Sequence, residues 1–450
     1  MKLYPHQTEA LEKTKNFNRV AYFYDMGLGK TFIGSEKMAA LNAPVNLIIC
    51  QKSKIHDWIN HFKEHYTVDD RSPFNESLIF DLTNAKEFQS FISESNKAVK
   101  PNVIYDEVTD SFYREPSLYP FDIIGVINYE LAWRRKELLK LRNFTLMLDE
   151  SSLIQTATAK QSKFVLKLKP ANVILLSGTP CSGKYENLWT QARLLGWDIS
   201  QKLFLDTYVN RYRMELGGMR FWVVDKTQPY KHVDRLRRRL REHGAVFKTT
   251  EECFELPKQI FNEVLVPVTP QYKQFMKDSI VTVNDVEFVG DTTLTKLLYA
   301  RMLCGAYNKH KLDAVRDLIQ STSDRLIIFY SFDAELEVLT DICDSLKRPI
   351  SVVNGKKKDL TAYESEQDSV TLCQYQAASK GLNLQLSNKI IYFTPTTRCE
   401  DWMQSLKRTH RIGQERTCIY YTITCKGSVE QGVYGALQRG TDYTVDLFKE

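Results

Sequence analysis

The sequence predicts an α/β protein of two lobes in tandem, each a mostly parallel sheet with crossover helices, carrying additional helical insertions. Apolar, β-rich runs recur with helix-like stretches between them: VAYFY at 20–24, VNLIIC at 45–50, IIGVI at 123–127, TLMLD at 145–149 and NVILLS at 172–177. That alternation is the mark of βα units. The rhythm breaks over roughly 196–310 and starts again with RLIIFY at 325–330, ISVV at 350–353, SVTLC at 369–373, KIIYF at 389–393 and CIYYTI at 418–423. A chain of 450 residues is also too long for one ordinary core.

The boundary between lobes is placed near Glu255, ahead of Leu256-Pro257 and the strand-like QIFNEVLVPV. The first lobe is then 1–255 with a helical insertion at about 196–250, and the second is 256–450 with an insertion at about 270–308. Residues 69–120 are weakly periodic and punctuated by proline, as in an insertion of unassigned role. Within the first insertion, RLRRRLR at 235–241 packs five arginines into seven residues, with Val233, Leu236 and Leu240 at helical spacing and Gly244 as a stop. Such a helix suits sequence-independent phosphate contacts, and equally a bracing role.

Hydrophobic residues make up 43% of the chain, which supports globular packing. No apolar run approaches the roughly 18 residues of a membrane span, and the start MKLYPHQTEALEK lacks a signal-peptide core, so an intracellular, cytoplasmic protein is expected, nuclear if eukaryotic. Nine cysteines are scattered without a CxxC pair or a finger-spaced histidine, which argues against structural zinc or a disulfide framework. A net charge of +6 is compatible with a polyanionic partner and with an ordinary enzyme alike.

The chemistry is carried by DMGLGKT at 25–31, between a strand and the helix-like TFIGSEKMAAL. A glycine-rich turn there lets backbone N–H groups wrap a phosphate chain at a helix N-terminus. Lys30 reaches the β and γ phosphates and Thr31 holds Mg2+. The strict P-loop pattern asks for glycine at position 24, where this chain has Tyr24. The complementary acids are Asp149 and Glu150 at the end of TLML: Asp149 suits the magnesium shell, and Glu150 suits the general base that polarises the attacking water.

In order along the chain, DMGLGKT, DESS at 149–152, SGTP at 177–180, SKGLNL at 379–384 and QSLKRTHRIGQ at 404–414 resemble the successive motifs of the Swi/Snf family of superfamily two helicases and translocases. LYPHQ at 3–7, LPKQIFNEVLVPVTPQY at 256–272 and KHKLDAVRDLI at 309–319 extend the resemblance to nearly the whole chain. It implies two RecA-like lobes and a cofactor pair of ATP and Mg2+. It further implies that Gln7 reads the adenine, that Gly27, Gly29, Lys30 and Thr31 cradle the phosphates, and that Ser177, Gly178 and Thr179 couple the nucleotide to the nucleic-acid groove. Ser379 and Asn383 would touch the tracked strand, and Arg408 and Arg411 would act as arginine fingers, sharing one face if their segment is helical. Ser151 and Ser152 stand where relatives usually carry Ala and His.

The function so implied is an ATP-dependent translocase on double-stranded DNA, a DNA-stimulated ATPase that displaces or remodels bound structures, recruited by a protein partner. A strand-separating or annealing helicase acting on forks or branched DNA is the alternative, for which a wedge hairpin would speak. A binding module with a switching ATP site is disfavoured by intact Lys30, Glu150, Arg408 and Arg411, and a metabolic kinase by the second lobe. No bromo-, chromo- or finger motif is seen, so a compact bacterial- or phage-like form is expected rather than a nucleosome remodeller. Trp58, Trp133, Trp189 and Trp402 are either base-stacking platforms or, as is commoner, core, and His410 is a hydrogen-bonding rather than an acid-base group.

Overall fold

The computed structural model describes residues 3–66, 79–98, 103–106, 111–114, 123–378 and 382–448. The chain divides into a first unit, Met1–Cys253 with Tyr443–Glu450, and a second, Phe254–Asp442. The last stretch of the terminal helix Val429–Phe448 therefore belongs with the first unit rather than with the second lobe.

All ten apolar runs are strands. In the first unit seven strands lie in the order Ala245–Lys248, Arg19–Tyr24, Asn172–Ser177, Phe144–Asp149, Val45–Cys50, Ile123–Asn128, Ile79–Asp81, and every pairing is parallel. Helices cover a parallel sheet, so its central strands read as unbroken apolar runs. Val45–Cys50 and Ile123–Asn128 are accordingly buried at every position. Helix Ile55–Tyr66 turns Ile55, Trp58, Ile59 and Phe62 inward at the three-four spacing of an amphipathic helix. Of the stretch 69–120, residues 79–98, 103–106 and 111–114 are described: edge strand Ile79–Asp81, a turn into helix Ala85–Ala98, and the pair Val103–Asp106 with Ser111–Arg114.

The first insertion is not wholly helical. Helix Gln201–Tyr208 is followed by an antiparallel hairpin, Arg211–Leu216 with Met219–Val224, then by helix Val233–Glu242. That last helix buries Leu236 and Leu240 as their spacing predicts. Three of its arginines turn to the protein: Arg237 lies 3.5 Å from Asp446, Arg241 donates to the Phe448 carbonyl at 3.3 Å, and Arg239 stacks over Trp197. Arg235 and Arg238 are exposed. Gly244 ends the helix at φ +84°, and a Cβ there would lie 2.3 Å from the Arg19 carbonyl, so only glycine lets the chain enter the edge strand Ala245–Lys248.

In the second unit the order is Gln259–Val266, Cys418–Cys425, Lys389–Tyr392, Leu326–Tyr330, Val370–Gln374, Ile350–Val353, Lys358–Asp359. Only the last pairing is antiparallel. Its insertion holds helices Pro270–Asp278 and Thr293–Cys304 around a second hairpin, Ile280–Val283 with Val286–Val289. All nine cysteines are free, and among the described residues no helix is long and apolar enough to cross a membrane.

Two buried polar groups tie these layers together. Lys311 Nζ lies 2.6 Å from Glu430 Oε1, with both side chains fully buried. Burial alone pulls the Lys311 pKa down, but Glu430 outweighs it and the net shift is upward, so Lys311 keeps its ammonium charge. Cys304 and Cys425 lie within 4.8 Å of Glu430 in a cluster that could hold a metal, a convergence that their sequence spacing does not signal. The Lys311 ammonium already neutralises that carboxylate. In the first unit, His61 Nε2 lies 2.9 Å from Ser35 Oγ among Phe32, Trp58 and Phe62, and burial brings its pKa down from 6.5 to about 4.

Removing one partner of a buried pair strands the other charge, so Lys311→Met should cost about 3–5 kcal/mol in chemical denaturation of the second unit. A loss below about 1 kcal/mol would show the pair to be solvated. For His61 the sign runs the other way from a salt-bridged histidine: the native state keeps the imidazole neutral while the unfolded chain protonates it. Its stabilisation is complete above pH 6.5 and is lost as pH falls towards about 4. The melting temperature should fall between pH 7 and pH 5, and His61→Gln should shrink that fall; an identical pH dependence in the variant would remove His61 as its source.

Candidate active site

Parallel pairing brings three loops to one edge of the first sheet. Phe23 pairs with Ser177 and Asp149 with Leu176, so the segments 25–31, 149–152 and 177–180 all leave the carboxyl ends of neighbouring strands, where α/β sheets bind ligands. Gly27 (φ +87°) and Gly29 (φ +69°) bend the first loop into helix Lys30–Leu41, whose N-terminus carries no side-chain cap. Tyr24 needs no glycine because it is still strand: its buried ring packs near His6 while its carbonyl accepts from Lys30 Nζ at 2.7 Å. Lys30 also donates to the Asp25 carbonyl at 3.1 Å. Gln7 is pinned beside the loop, accepting from Tyr4 N at 2.8 Å and donating to the carbonyls of Gly29 at 3.3 Å and Leu28 at 3.4 Å. A Cβ at Gly29 would lie 2.3 Å from Gln7 Nε2.

The two carboxylates are held by several donors. Asp149 Oδ2 accepts from Trp58 Nε1 at 2.8 Å, and Tyr129 Oη donates to the Asp149 carbonyl at 2.9 Å. Burial pushes the Asp149 carboxyl above the ordinary range, while the Trp58 donor opposes that shift. Glu150 sits in the left-handed region at φ 55°, a conformation an L-residue adopts at a cost of about 1–3 kcal/mol and keeps only when its surroundings enforce it. Its Oε1 accepts from Ser177 Oγ at 2.6 Å and from Ser152 Oγ at 2.9 Å. Ser177 Oγ in turn accepts from Thr179 N at 3.1 Å, so the acid and the SGTP turn share one hydrogen-bond chain. Ser151 joins the same turn by another route, donating to Gln191 Oε1 at 2.8 Å while Gln191 Nε2 donates to the Pro180 carbonyl at 2.6 Å. The replacement of Ala-His by Ser-Ser thus leaves a connection in place.

These groups suit a magnesium nucleotide. An uncapped helix N-terminus and an ammonium match phosphate oxygens, and the Thr31 hydroxyl and Asp149 carboxylate are hard oxygen ligands. The buried Thr179 hydroxyl has no hydrogen-bond partner, which marks it as a group awaiting one. Trp58, Tyr129 and Gln191 are missed by the sequence reading of this site, because nothing in an apolar helix or strand end signals which polar tip will meet a carboxylate.

In the second unit, helix Cys399–Leu406 ends before the arginines, so Arg408 and Arg411 do not share a helical face. Both lie in a turn locked to the loop before strand Lys389–Tyr392. Arg408 is 1% exposed and donates to the Leu382 carbonyl at 3.2 Å. Arg411 donates through Nη1 to Asn383 Oδ1, a neutral acceptor, while its buried Nε has no partner, and burial lowers its pKa. Gln414 donates to the carbonyls of Gln385 at 3.0 Å and Ser387 at 2.9 Å, and His410 Nε2 lies 2.9 Å from the Pro257 carbonyl. Ser379 lies outside the described residues. Of the tryptophans, Trp402 packs on Tyr392 in the core, Trp189 donates to the Ile199 carbonyl, and Trp133 is covered by Arg134 and Lys160.

The family model described as the SNF2-related domain matches residues 17–311, about two thirds of the chain. The chain belongs to the SNF2-related family. It is similar to the DNA repair and recombination protein RAD26 of Saccharomyces cerevisiae, 22% identical over 91% of this chain and 43% of that one. It is also similar to the ISWI chromatin-remodeling complex ATPase ISW1 of the same yeast, 21% identical over 93% of this chain and 37% of that one. The SNF2-related chain thus spans less than half the length of these curated relatives. Among solved structures, the Sulfolobus solfataricus SWI2/SNF2 ATPase core in complex with dsDNA is 16% identical, covering 100% of this chain and 95% of that one, at a TM-score of 0.43. At that score the likeness carries no weight; the fold rests on the two sheets themselves.

Proposed function

We propose that this SNF2-related chain is a DNA-stimulated ATPase that moves along double-stranded DNA and displaces or remodels what is bound there. One observation carries the reading: the Lys30 loop, the Glu150 carboxylate and the SGTP turn stand at one sheet edge, with Glu150 and Thr179 joined through Ser177. A base tied by hydrogen bonds to a neighbouring turn can report its own state to that turn, which is what coupling hydrolysis to a second ligand requires.

In this reading Gly27, Gly29 and Lys30 take the phosphates, Gln7 the adenine, and Glu150 orients the attacking water and accepts its proton. Magnesium held by Thr31 and Asp149 would offset phosphate charge. Arg411 is the better candidate for an arginine finger, since its guanidinium is partly desolvated against a neutral amide and suits an anion. Arg408, buried against the Leu382 carbonyl, acts as a positioning residue for the same turn. Asn383 holds Arg411; the proposal gives Asn383 and Ser379 the tracked strand to contact, and Ser177 and Thr179 the coupling. A recruiting protein partner is part of the same proposal. The exposed hairpin of the first unit favours the second reading, a strand-separating or annealing activity on forked or branched DNA.

Glu150→Gln should bind ATP and duplex as the parent does but lose about 10²–10⁴-fold in turnover. The measurement is steady-state hydrolysis with no polymer, duplex DNA, single-stranded DNA or RNA. Stimulation by plain duplex that disappears in Glu150→Gln supports the translocase; stimulation confined to single strands or forks supports the second reading, and wild-type turnover in the variant removes Glu150 from catalysis. Trp58→Phe keeps the apolar ring and deletes the donor to Asp149, so the magnesium concentration for half-maximal hydrolysis should rise by about tenfold or more. An unchanged magnesium requirement would make Asp149 a structural carboxylate.

A further inference from the structure

Hairpin Arg211–Leu216 with Met219–Val224 sorts its side chains by face. Directly paired residues share a face, and the register pairs Val223 with Tyr212, Phe221 with Met214 and Met219 with Leu216. One face is therefore apolar throughout. The other pairs Val224 with Arg211, Trp222 with Arg213 and Arg220 with Glu215. Arg211, Trp222 and Val224 line a cleft of about 280 Å³ against Gln155, Thr156 and Leu205 of the first unit. Trp222 is 51% exposed and Arg213, Glu215 and Arg220 are exposed as well, so this face meets the body only near the foot and both faces of the outer hairpin are open to solvent.

The foot of the hairpin is fixed and its tip is free. Asn210 N donates to the Pro229 carbonyl at 2.8 Å, Asp225 N donates to the Asn210 carbonyl at 2.9 Å, and Arg211 pairs with Asp206 at 2.6 Å. The guanidinium carbons of Arg211 and Arg213 lie 4.5 and 5.4 Å from the centre of the Trp222 ring. At the tip, Gly217 (φ +58°) and Gly218 (φ +76°) make the two-residue turn whose twist suits a hairpin, and a Cβ on either would meet nothing within 4 Å. The residues flanking the turn, Leu216 and Met219, are 65% and 73% exposed.

An isolated hairpin with an apolar face in water is unusual unless that face has an occupant. Six side chains are far fewer than the roughly 20–30 residues a side of a stable protein interface, whereas an apolar wedge that unstacks base steps needs only a few. Charge points the same way. Between 211 and 241 the chain carries ten Lys and Arg against three Asp and Glu, a net +7, while the whole chain nets +6. The positive excess of this protein is concentrated in the insertion that bears the hairpin.

We propose that the hairpin is a wedge for DNA bases: Leu216 and Met219 enter the duplex and unstack it, Tyr212 and Phe221 receive the exposed bases, and Arg213, Arg220, Arg235 and Arg238 hold the flanking phosphates. The inference rests on the reading that the chain acts on duplex DNA, and adds that it distorts or opens the duplex as it does so.

The test uses the full chain and a duplex carrying 2-aminopurine, whose fluorescence rises on unstacking. The wild type should raise the signal several-fold on binding. Leu216→Ser/Met219→Ser, at solvent-exposed positions remote from the nucleotide loops, should hydrolyse ATP without DNA at the parental rate and bind duplex, yet lose most of the rise; Tyr212→Ser/Phe221→Ser provides an independent second variant. A wild type that binds and is stimulated by duplex without any rise, or variants that raise it equally, would overturn the wedge while leaving the ATPase reading intact. Absence of both duplex binding and stimulation would sink both. If the variants match the parent on DNA but differ from it in sedimentation, the apolar face is a protein contact and not a wedge.

Discussion

Everything at the candidate site depends on the strand Asn172–Ser177 being inserted, in parallel, between Arg19–Tyr24 and Phe144–Asp149. Because all three strands run the same way, their carboxyl ends coincide, and segments more than a hundred residues apart in sequence meet without any being drawn out of its own loop. The register is held by side chains buried on both faces, where slipping by one residue would exchange the two faces. A parallel sheet of this kind is slow to assemble and, once assembled, rigid at its centre. That rigidity suits a site in which Glu150 occupies a left-handed conformation and is held by two hydroxyl donors.

The second unit uses the same architecture for a different end. Its turn 407–414 is stitched to the loop at 382–387 by Arg408, Arg411 and Gln414, mostly through backbone carbonyls. The Asn383 amide is a neutral acceptor, so that contact leaves the charge of the Arg411 guanidinium uncancelled. The contrast with Lys311 and Glu430 is instructive: that ammonium is neutralised, fully buried and structural. Whether a buried cation meets a carboxylate or only dipoles decides whether it is available to an external anion.

Legibility in the sequence followed burial. The ten runs that formed central strands are continuous apolar stretches, and their periodicity is read without ambiguity. The strands that escaped, Ala245–Lys248 and Ile79–Asp81, are short and lie at sheet edges, where a few alternating residues differ little from a loop. Glycine and acid positions of the site were legible because their chemistry demands particular residue types at particular turns. Trp58 and Gln191 were not, since their partners, Asp149 and Pro180, are set by tertiary contact. The arginine-rich helix shows a third case. Its helicity and its buried leucines follow from spacing, but composition cannot tell a solvated guanidinium from one that braces Asp446 or stacks on Trp197.

The hairpin is legible in its first strand. RYRMEL at 211–216 alternates polar and apolar residues and Gly217-Gly218 marks a two-residue turn, whereas the second strand ends in the continuous run FWVV, and nothing in either strand tells that the apolar face stays exposed. A sheet that leaves a whole apolar face in water gains nothing for its own stability by doing so. The two glycines, with open space around them, set the turn and are not required by packing. Its foot, by contrast, is tied down through Arg211 and Asn210. Local rules are broken where function is served and compensated nearby, and here the compensation is a rigid foot supporting an apolar tip. An element organised in that way is built to push against something, and the cations that surround it limit what that something carries.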